Sequence, residues 1–592
     1  MEKNRNYYIA IVFSVLIVFV WQFFYMGPKM EAERQREAAQ QAELAKTKKA
    51  EQPAADIAAA PVPGMDGAAV AVINRDQALA EVPRVTIDTP ALTGSINLIG
   101  ARLDDLKLKN YRETIDKTSP IITLFSPGNT KDGYFVELGF TGAAGSVPNS
   151  KTQWSVEGNS KLTADTPVTL VYTNEAGSVF TRKISVDKDY MFTVEDSVKN
   201  SSAQPLALAP YGRVVRYNQP THASAWVLHE GYIGVMDGNL KEETFADASE
   251  EPFKFEATNA GWLGITDKYW AAAIVPQPGA AFTSNFSHVT KGQPLFQADY
   301  RTNAADTIAA GESKSFKTLV FAGAKQVPLV EAYGEKNGIE SFDKLIDWGW
   351  FYFFTKPMFY LMDWLFRYFG NFGLAILGTT VIVKLLFFPI ANRQYASMAK
   401  MKTLQPKMEE LKAKFGDDRM GLQTAMMQLY KEEKVNPLAG CWPILLQIPV
   451  FFALYKVIYV TIEMRHAPFF GWIQDLSAPD PTTLFNLFGL IPWDPPQALM
   501  LGVWPIIMGI TMFVQMRMNP TPPDPTQAMI FNWMPLIFTF MLGSFPAGLV
   551  IYWAWNNTLS VLQQGIIMKR HGVKIELFDN LKNLFKRKPS SA

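Results

Sequence analysis

One cysteine, Cys441, stands in 592 residues, so the chain forms no internal disulfide and holds no cysteine metal cluster. Histidine is also scarce, five in all. His222 and His229, with Glu230, are the grouping to weigh as a metal or acid–base cluster. The two histidines are seven positions apart in turn-rich sequence, with no further ligand at metal spacing. They read as polar loop residues, and no metal or cofactor is expected. There is no GxxxxGKS/T, HExxH or GxSxG signature, which argues against an ATP-driven pump and the common hydrolases. Neither sign of charge is in excess: 56 Lys and Arg face 55 Asp and Glu, a net of +1. Nothing in that balance points to DNA, and the local distribution of charge matters more.

Long apolar runs are what the chain has. Apolar residues are 48% of it and charged residues 19%, an average over two unlike parts. Residues 1–26 carry Lys3 and Arg5, then an apolar run from Tyr7 to Met26. A cleaved signal peptide and an uncleaved anchor are both open readings. The anchor is favoured because the run exceeds an h-region of about 7–15 residues and lacks a small-x-small cleavage site. Residues 27–83 form a linker, charged and alanine-rich at first, then rich in Ala, Pro and Gly.

From Arg84 the apolar period becomes two. Val85/Ile87, Ile96/Leu98, Leu103/Leu106/Leu108, Tyr134/Val136/Leu138/Phe140, Thr169/Val171 and Phe192/Val194 alternate with polar neighbours. Turn clusters such as Ser126-Pro-Gly-Asn129 separate them. This pattern predicts a large antiparallel β-sandwich over 84–325, suited to binding a partner or an extended chain along a groove or edge. Residues 341–370 are aromatic, but too charged to cross a membrane and interrupted by Pro357. They predict an amphipathic helix lying in the membrane interface.

The region 371–568 predicts five spans, at about 372–390, 438–460, 498–516, 528–542 and 549–568. Between the first two, 393–434 carries nine Lys or Arg residues and a stripe of Met401, Leu404, Met408, Leu411, Leu422, Met426 and Leu429. Gly416-Asp417-Asp418 is a stop followed by a start, so the segment predicts a helical hairpin, cytoplasmic by its charge. The tail 569–592 is basic and is placed on the same side. With the anchor the total is six crossings, both termini cytoplasmic.

Lys384 lies inside the run 372–390. A cation at the centre of a span costs about 2.5–3.5 kcal/mol, so it normally faces protein or water. Two readings stand: a polar hollow with Lys384 in its wall, or a stem that snorkels towards the interface near Arg393, about 13 Å along a straight helix. Thr379, Thr380, Gln447, Gln515, Asn556 and Asn557 are further polar residues at span depth and candidates for the same hollow. For Gln447 and the asparagines, hydrogen bonding between helices is the competing reading.

The order of parts, with the stretches Asp347-Trp-Gly-Trp-Phe351, Gln394-Tyr-Ala-Ser-Met-Ala-Lys-Met401, Lys434-Val-Asn-Pro-Leu-Ala-Gly-Cys-Trp-Pro443, Gln447-Ile-Pro-Val-Phe451 and Phe545-Pro-Ala-Gly-Leu-Val-Ile-Tyr552, resembles the YidC/Oxa/Alb family of membrane protein insertases. The match covers essentially the whole length and looks like the Gram-negative form. The resemblance implies a periplasmic β-supersandwich, a bacterial inner membrane location and a five-span core enclosing a hydrophilic groove, with no covalent chemistry. It implies that Lys384 supplies the groove charge, where many members have arginine, and that Thr380, Phe451, Tyr552 and Trp553 touch the passing substrate. Trp553 departs from the tyrosine common there. The implied partners are newly made membrane proteins, the Sec translocon, and the ribosome and signal-recognition targeting factors received by the hairpin and tail, together with membrane lipids. A small-solute transporter and a membrane-anchored periplasmic sugar-binding or enzymatic protein are the alternatives.

Overall fold

The computed structural model describes residues 72–570 apart from 221–227, 248–251, 290–293, 350, 417, 434–441, 489, 492, 494–500 and 520–524. The expected anchor 1–26, most of the linker and nearly all of the basic tail lie outside the described residues, as do His222 and Cys441.

A short helix, α1 (Arg75–Ala80), leads into two sheets of eleven and nine strands. Nearly all neighbours are antiparallel; the strands Arg84–Asp88 and Lys161–Leu162 run parallel. Alternation of side chains across each strand puts one set between the sheets. Tyr232, Phe282 and Phe286 are fully buried there, whereas the buried Trp262 and Phe321 lie on the opposite face of their sheet, each in edge contact with Phe342. One segment was expected to face the other way. In Val168–Thr173 the buried residues are Val168 and Leu170, while Thr169 and Val171 are half-buried. The sequence VTLVYT has apolar residues on both parities, so its pattern leaves the inward face open. Charged groups are buried in this domain too. Arg182 makes two bonds to Asp196, at 2.7 and 2.9 Å, and Arg213 pairs with Glu137 at 3.0 Å.

After the last strand, Ser313–Ala324, comes α2 (Val327–Asn337), with a proline in its first turn and Gly338 ending it at φ 64°. Helix α3 (Tyr352–Phe369) follows. It runs through Pro357, which has no N–H to give the Phe353 carbonyl, so the helix continues with one intrahelical bond fewer. It buries Met358, Phe359, Met362 and Leu365, and exposes Tyr352, Phe353, Trp364 and Tyr368.

The helical part comprises α4 (Phe372–Leu386), α5 (Phe388–Phe415), α6 (Arg419–Glu432), α7 (Trp442–Val460), α8 (Val503–Met518), α9 (Pro525–Met541) and α10 (Ala547–Arg570). The expected continuous run 372–390 is broken at Phe387, where α4 and α5 meet at a bend of 69°. Pro389 opens the first turn of α5, where a proline is tolerated, and its fixed φ suits a fresh helix start. Among the described residues no single helix is long and apolar enough to cross a membrane alone; the bent pair α4 and α5 meets that requirement jointly. Helices α5 and α6 form the hairpin. Gly416 closes α5 through its N–H to the Lys412 carbonyl, and the Asp418 carboxylate caps α6 by accepting from the Gly421 N–H at 3.0 Å. Lys407 bonds Glu433 across the pair at 2.6 Å. Gly509 lets α9 lie close to α8: a Cβ there would stand 2.0 Å from the Thr539 hydroxyl.

The β-domain is seated on the outer end of α7. Lys456 pairs with Asp347 at 2.6 Å, and Asp347 also accepts from the His229 backbone N–H at 2.8 Å. The Lys268 ammonium lies 3.6 Å from the centre of the Tyr459 ring. His229 Nε2 lies 2.8 Å from the Tyr232 carbonyl, and Glu230 accepts from the Lys268 N–H at 3.0 Å. These two residues therefore serve the seating, and no group of three or more possible metal ligands occurs among the described residues.

Glu463, just beyond α7, accepts from the Val327 N–H at 2.9 Å and so joins α2 to the helical part. Burial pushes its carboxyl up to about 7. The folded state thus favours the protonated acid. Its contribution is complete below the ordinary value of 4.5 and is lost as pH rises through about 7. Amide exchange at the start of α2 is expected to quicken as pH rises through 7, beyond the intrinsic rate, and Glu463→Gln should flatten that response. An unchanged pH response in the Gln variant would remove Glu463 as its source.

Candidate functional site

A cavity of about 170 Å³ lies among α4, α5, α7, α8 and α10. Polar and apolar side chains share its wall, and α10 gives the longest polar stripe at helical spacing. Helix α4 presents Thr380 and Lys384, and α5 presents Gln394 and Tyr395 just past the bend. Helix α7 presents Gln447 above Val450 and Leu454, and Gln515 comes from α8. Helix α10 presents Tyr552, Asn556 and Ser560 on one face, four residues apart each time.

Lys384 is the one charged side chain among the described lining residues. Its ammonium donates to Ser560 Oγ at 2.6 Å, and the Ser560 hydroxyl in turn donates to the Asn556 carbonyl at 2.7 Å. No carboxylate pairs with it among the described residues. The bend at Phe387 removes the straight path to Arg393 on which the snorkelling distance rested. The hollow offers amides, hydroxyls and a lone cation, a setting for a hydrated or anionic segment of another chain.

Six of the residues singled out from the sequence line this hollow: Thr380, Lys384, Gln447, Gln515, Tyr552 and Asn556. Phe451 and Trp553 are not among its lining residues. They stack on each other, centroids 4.5 Å apart and planes at 20°. Thr379 is buried away from the cavity. Asn557 donates to Thr511 Oγ1 of α8 at 3.3 Å and ties two helices together. The sequence pattern missed Ser560, Gln563, Asn519, Gln394 and Tyr395 as lining residues. Ser560 was findable, since it continues the stripe of Tyr552 and Asn556 by one turn. Gln394 and Tyr395 were assigned to the hairpin, and the bend alone brings them to the cavity.

The faces turned away from the cavity are apolar and exposed. Leu385 and Leu386 on α4, Ile510 on α8, Leu536, Ile537 and Phe540 on α9, and Leu562 and Ile566 on α10 are examples. Polar within and apolar without is the arrangement expected of a body surrounded by lipid.

Residues 84–361 match the family model of the YidC periplasmic domain, and residues 364–574 that of the 60Kd inner membrane protein. The membrane protein insertase YidC of Rhizobium meliloti (strain 1021) is 65% identical, the match covering 100% of both chains. That of Rhizobium etli (strain CIAT 652) is 66% identical over 99% of each. A crystal structure of an active YidC insertase with its first transmembrane domain resolved shares 19% identity over 84% of this chain and 94% of that one, at a TM-score of 0.35. With two family models spanning almost all of the sequence and relatives matched from end to end, the chain belongs to the YidC family of membrane protein insertases, inner membrane proteins with a periplasmic domain.

Proposed function

We propose that the cavity around Lys384 receives the polar segment of a client membrane protein while the client's apolar helix passes into lipid along α7 and α9. The observation that carries this is a lone ammonium in an otherwise neutral polar hollow, walled by helices whose opposite faces are exposed and apolar. The hollow lowers the cost of bringing polar groups part-way across. Burial of the client's helix in lipid supplies the driving force. A membrane potential adds about 2.3 kcal/mol per charge per 100 mV for acidic residues. The function is non-enzymatic, and no bond is made or broken.

In this reading six spans place both termini and the α5–α6 hairpin in the cytoplasm, with the β-domain in the periplasm. The hairpin and basic tail meet ribosomes and targeting factors, and the core works alone or beside the Sec translocon. Photo-reactive residues at Gln515 and Asn556 are expected to capture a client arrested during insertion, and one at Leu562, on the exposed face of α10, to capture mainly lipid. Capture of the client at Leu562 and not at the other two would reverse the assignment of inner and outer faces.

A further inference from the structure

The connection between α7 and α8 contains an apolar tip that the proposed groove does not use. Its ten residues, 484–493, include no charged side chain. Leu484, Phe485, Leu487, Phe488, Leu490, Ile491 and Trp493 are all exposed, Leu490 by 83%. Two neighbours in the tip, Leu487 and Phe488, have φ of 50° and 58°. Bulky apolar residues rarely adopt the left-handed region, and here two in succession do so while their side chains are exposed. A strained backbone that displays apolar side chains to water gains nothing from either feature.

The tip also bonds its own backbone. The N–H groups of Leu487, Phe488, Leu490, Ile491 and Trp493 donate to the carbonyls of Leu484, Thr483, Leu487, Asn486 and Ile491. Such internal satisfaction is what backbone at apolar depth requires. The base is rigid. The buried Asp480 carboxylate accepts from the Trp472 indole at 3.1 Å and from the Trp504 N–H in the first turn of α8 at 2.9 Å. The tip thus lies in the connection that joins the β-domain end of α7 to the start of α8, where Phe470, Ile507 and Ile510 are exposed as well.

We propose that the described residues 484–488, 490, 491 and 493 form a membrane contact, dipping into the acyl region of the lipid leaflet on the β-domain side. The occupant is lipid, because the segment carries no charge for a polar partner, five of its described N–H groups are already bonded to neighbouring carbonyls, and it joins two helices of a chain whose family is one of inner membrane proteins. This contact stands apart from the groove and does not depend on Lys384.

The test is made on the full chain in vesicles of phosphatidylcholine and phosphatidylglycerol with no other protein. Cys441→Ser leaves no native thiol, and Leu490→Cys then carries an environment-sensitive dye. A parallel sample carries the dye at Met420→Cys, an exposed position on the hairpin. The Leu490 dye is expected to shift to the blue, to be quenched several-fold more strongly by a nitroxide on the lipid acyl chain than the Met420 dye, and to resist aqueous iodide. Quenching by iodide with no response to the lipid nitroxide would overturn the proposal, and would leave the tip as a site for a protein partner. If the Cys441→Ser form does not fold, the same labelling with Cys441 retained, read as the difference from protein lacking the new thiol, decides between the two results.

Discussion

Lys384→Ala is expected to cut insertion of a client with an acidic tail by about tenfold or more, equivalent to about 1.4 kcal/mol, while Lys384→Arg keeps most of it. Opposite charges about 4 Å apart attract by about 4 kcal/mol at an effective dielectric of 20. The client carboxylate must shed water to reach the hollow, so part of that attraction is cancelled. A third of it suffices for the expected effect. Alanine removes the one charge among the described lining residues. It leaves the Ser560 hydroxyl bonded to the Asn556 carbonyl, so the fold loses little. Arginine restores the charge and adds a planar fork that can hold a carboxylate and Ser560 together. A client whose tail has no acidic residue should respond much less. Purified protein in liposomes, with protease protection of the client as the readout, separates these cases. Equal insertion by wild type, Lys384→Ala and Lys384→Arg would show that hydration of the hollow, and not its charge, does the work.

Glu137→Ala is expected to destabilise the β-domain by about 3–5 kcal/mol while leaving the cavity intact. Glu137 is 1% exposed and sits between Arg102 and Arg213, with the Tyr211 hydroxyl donating to it at 2.9 Å. Removing the carboxylate leaves two guanidinium groups in the same place without their counter-charge. Burial pushes this carboxyl up, but Arg213 and Arg102 outweigh burial and hold it below its ordinary value. Its contribution is therefore complete above the ordinary value of 4.5 and fades as pH falls through the lower folded value. Urea unfolding of the purified protein, followed through the β-sheet circular dichroism, should show a lower midpoint for the variant at neutral pH. The gap should narrow in acid. A variant as stable as wild type at neutral pH would mean that water or neighbouring groups take over the role of the carboxylate. Insertion by the folded variant should match wild type, because every residue lining the cavity comes from the helical part.

Much of this molecule is written in local pattern. Period-two alternation marks the strands because a pleated backbone sends successive side chains to opposite faces. The hairpin is equally local: Gly416 tolerates the turn and Asp418 satisfies an open N–H, whatever packs around them. A lysine within an apolar run declares itself through its cost. The resemblance to the family rests on something else again, the order of segments and stretches such as Gln447-Ile-Pro-Val-Phe451 and Phe545-Pro-Ala-Gly-Leu-Val-Ile-Tyr552.

Tertiary structure decided what depends on which faces meet. The 69° bend at Phe387 brings Gln394 and Tyr395 to the cavity, and no residue pattern states an angle between two helices. Asn556 and Asn557 are neighbours of one type, yet one faces the hollow and the other binds Thr511, because adjacent residues on a helix lie about 100° apart. Phe451 and Trp553 stack on each other because α7 and α10 approach at that level. The left-handed pair Leu487 and Phe488 consists of two bulky apolar residues, for which sequence gives no expectation of positive φ even though Gly489 follows them. Composition and periodicity are properties of the chain at short range and survive into any fold. The partner of an ammonium, the neighbour of a ring and the direction of a loop depend on contacts between residues far apart in sequence, and these exist only once the helices are packed.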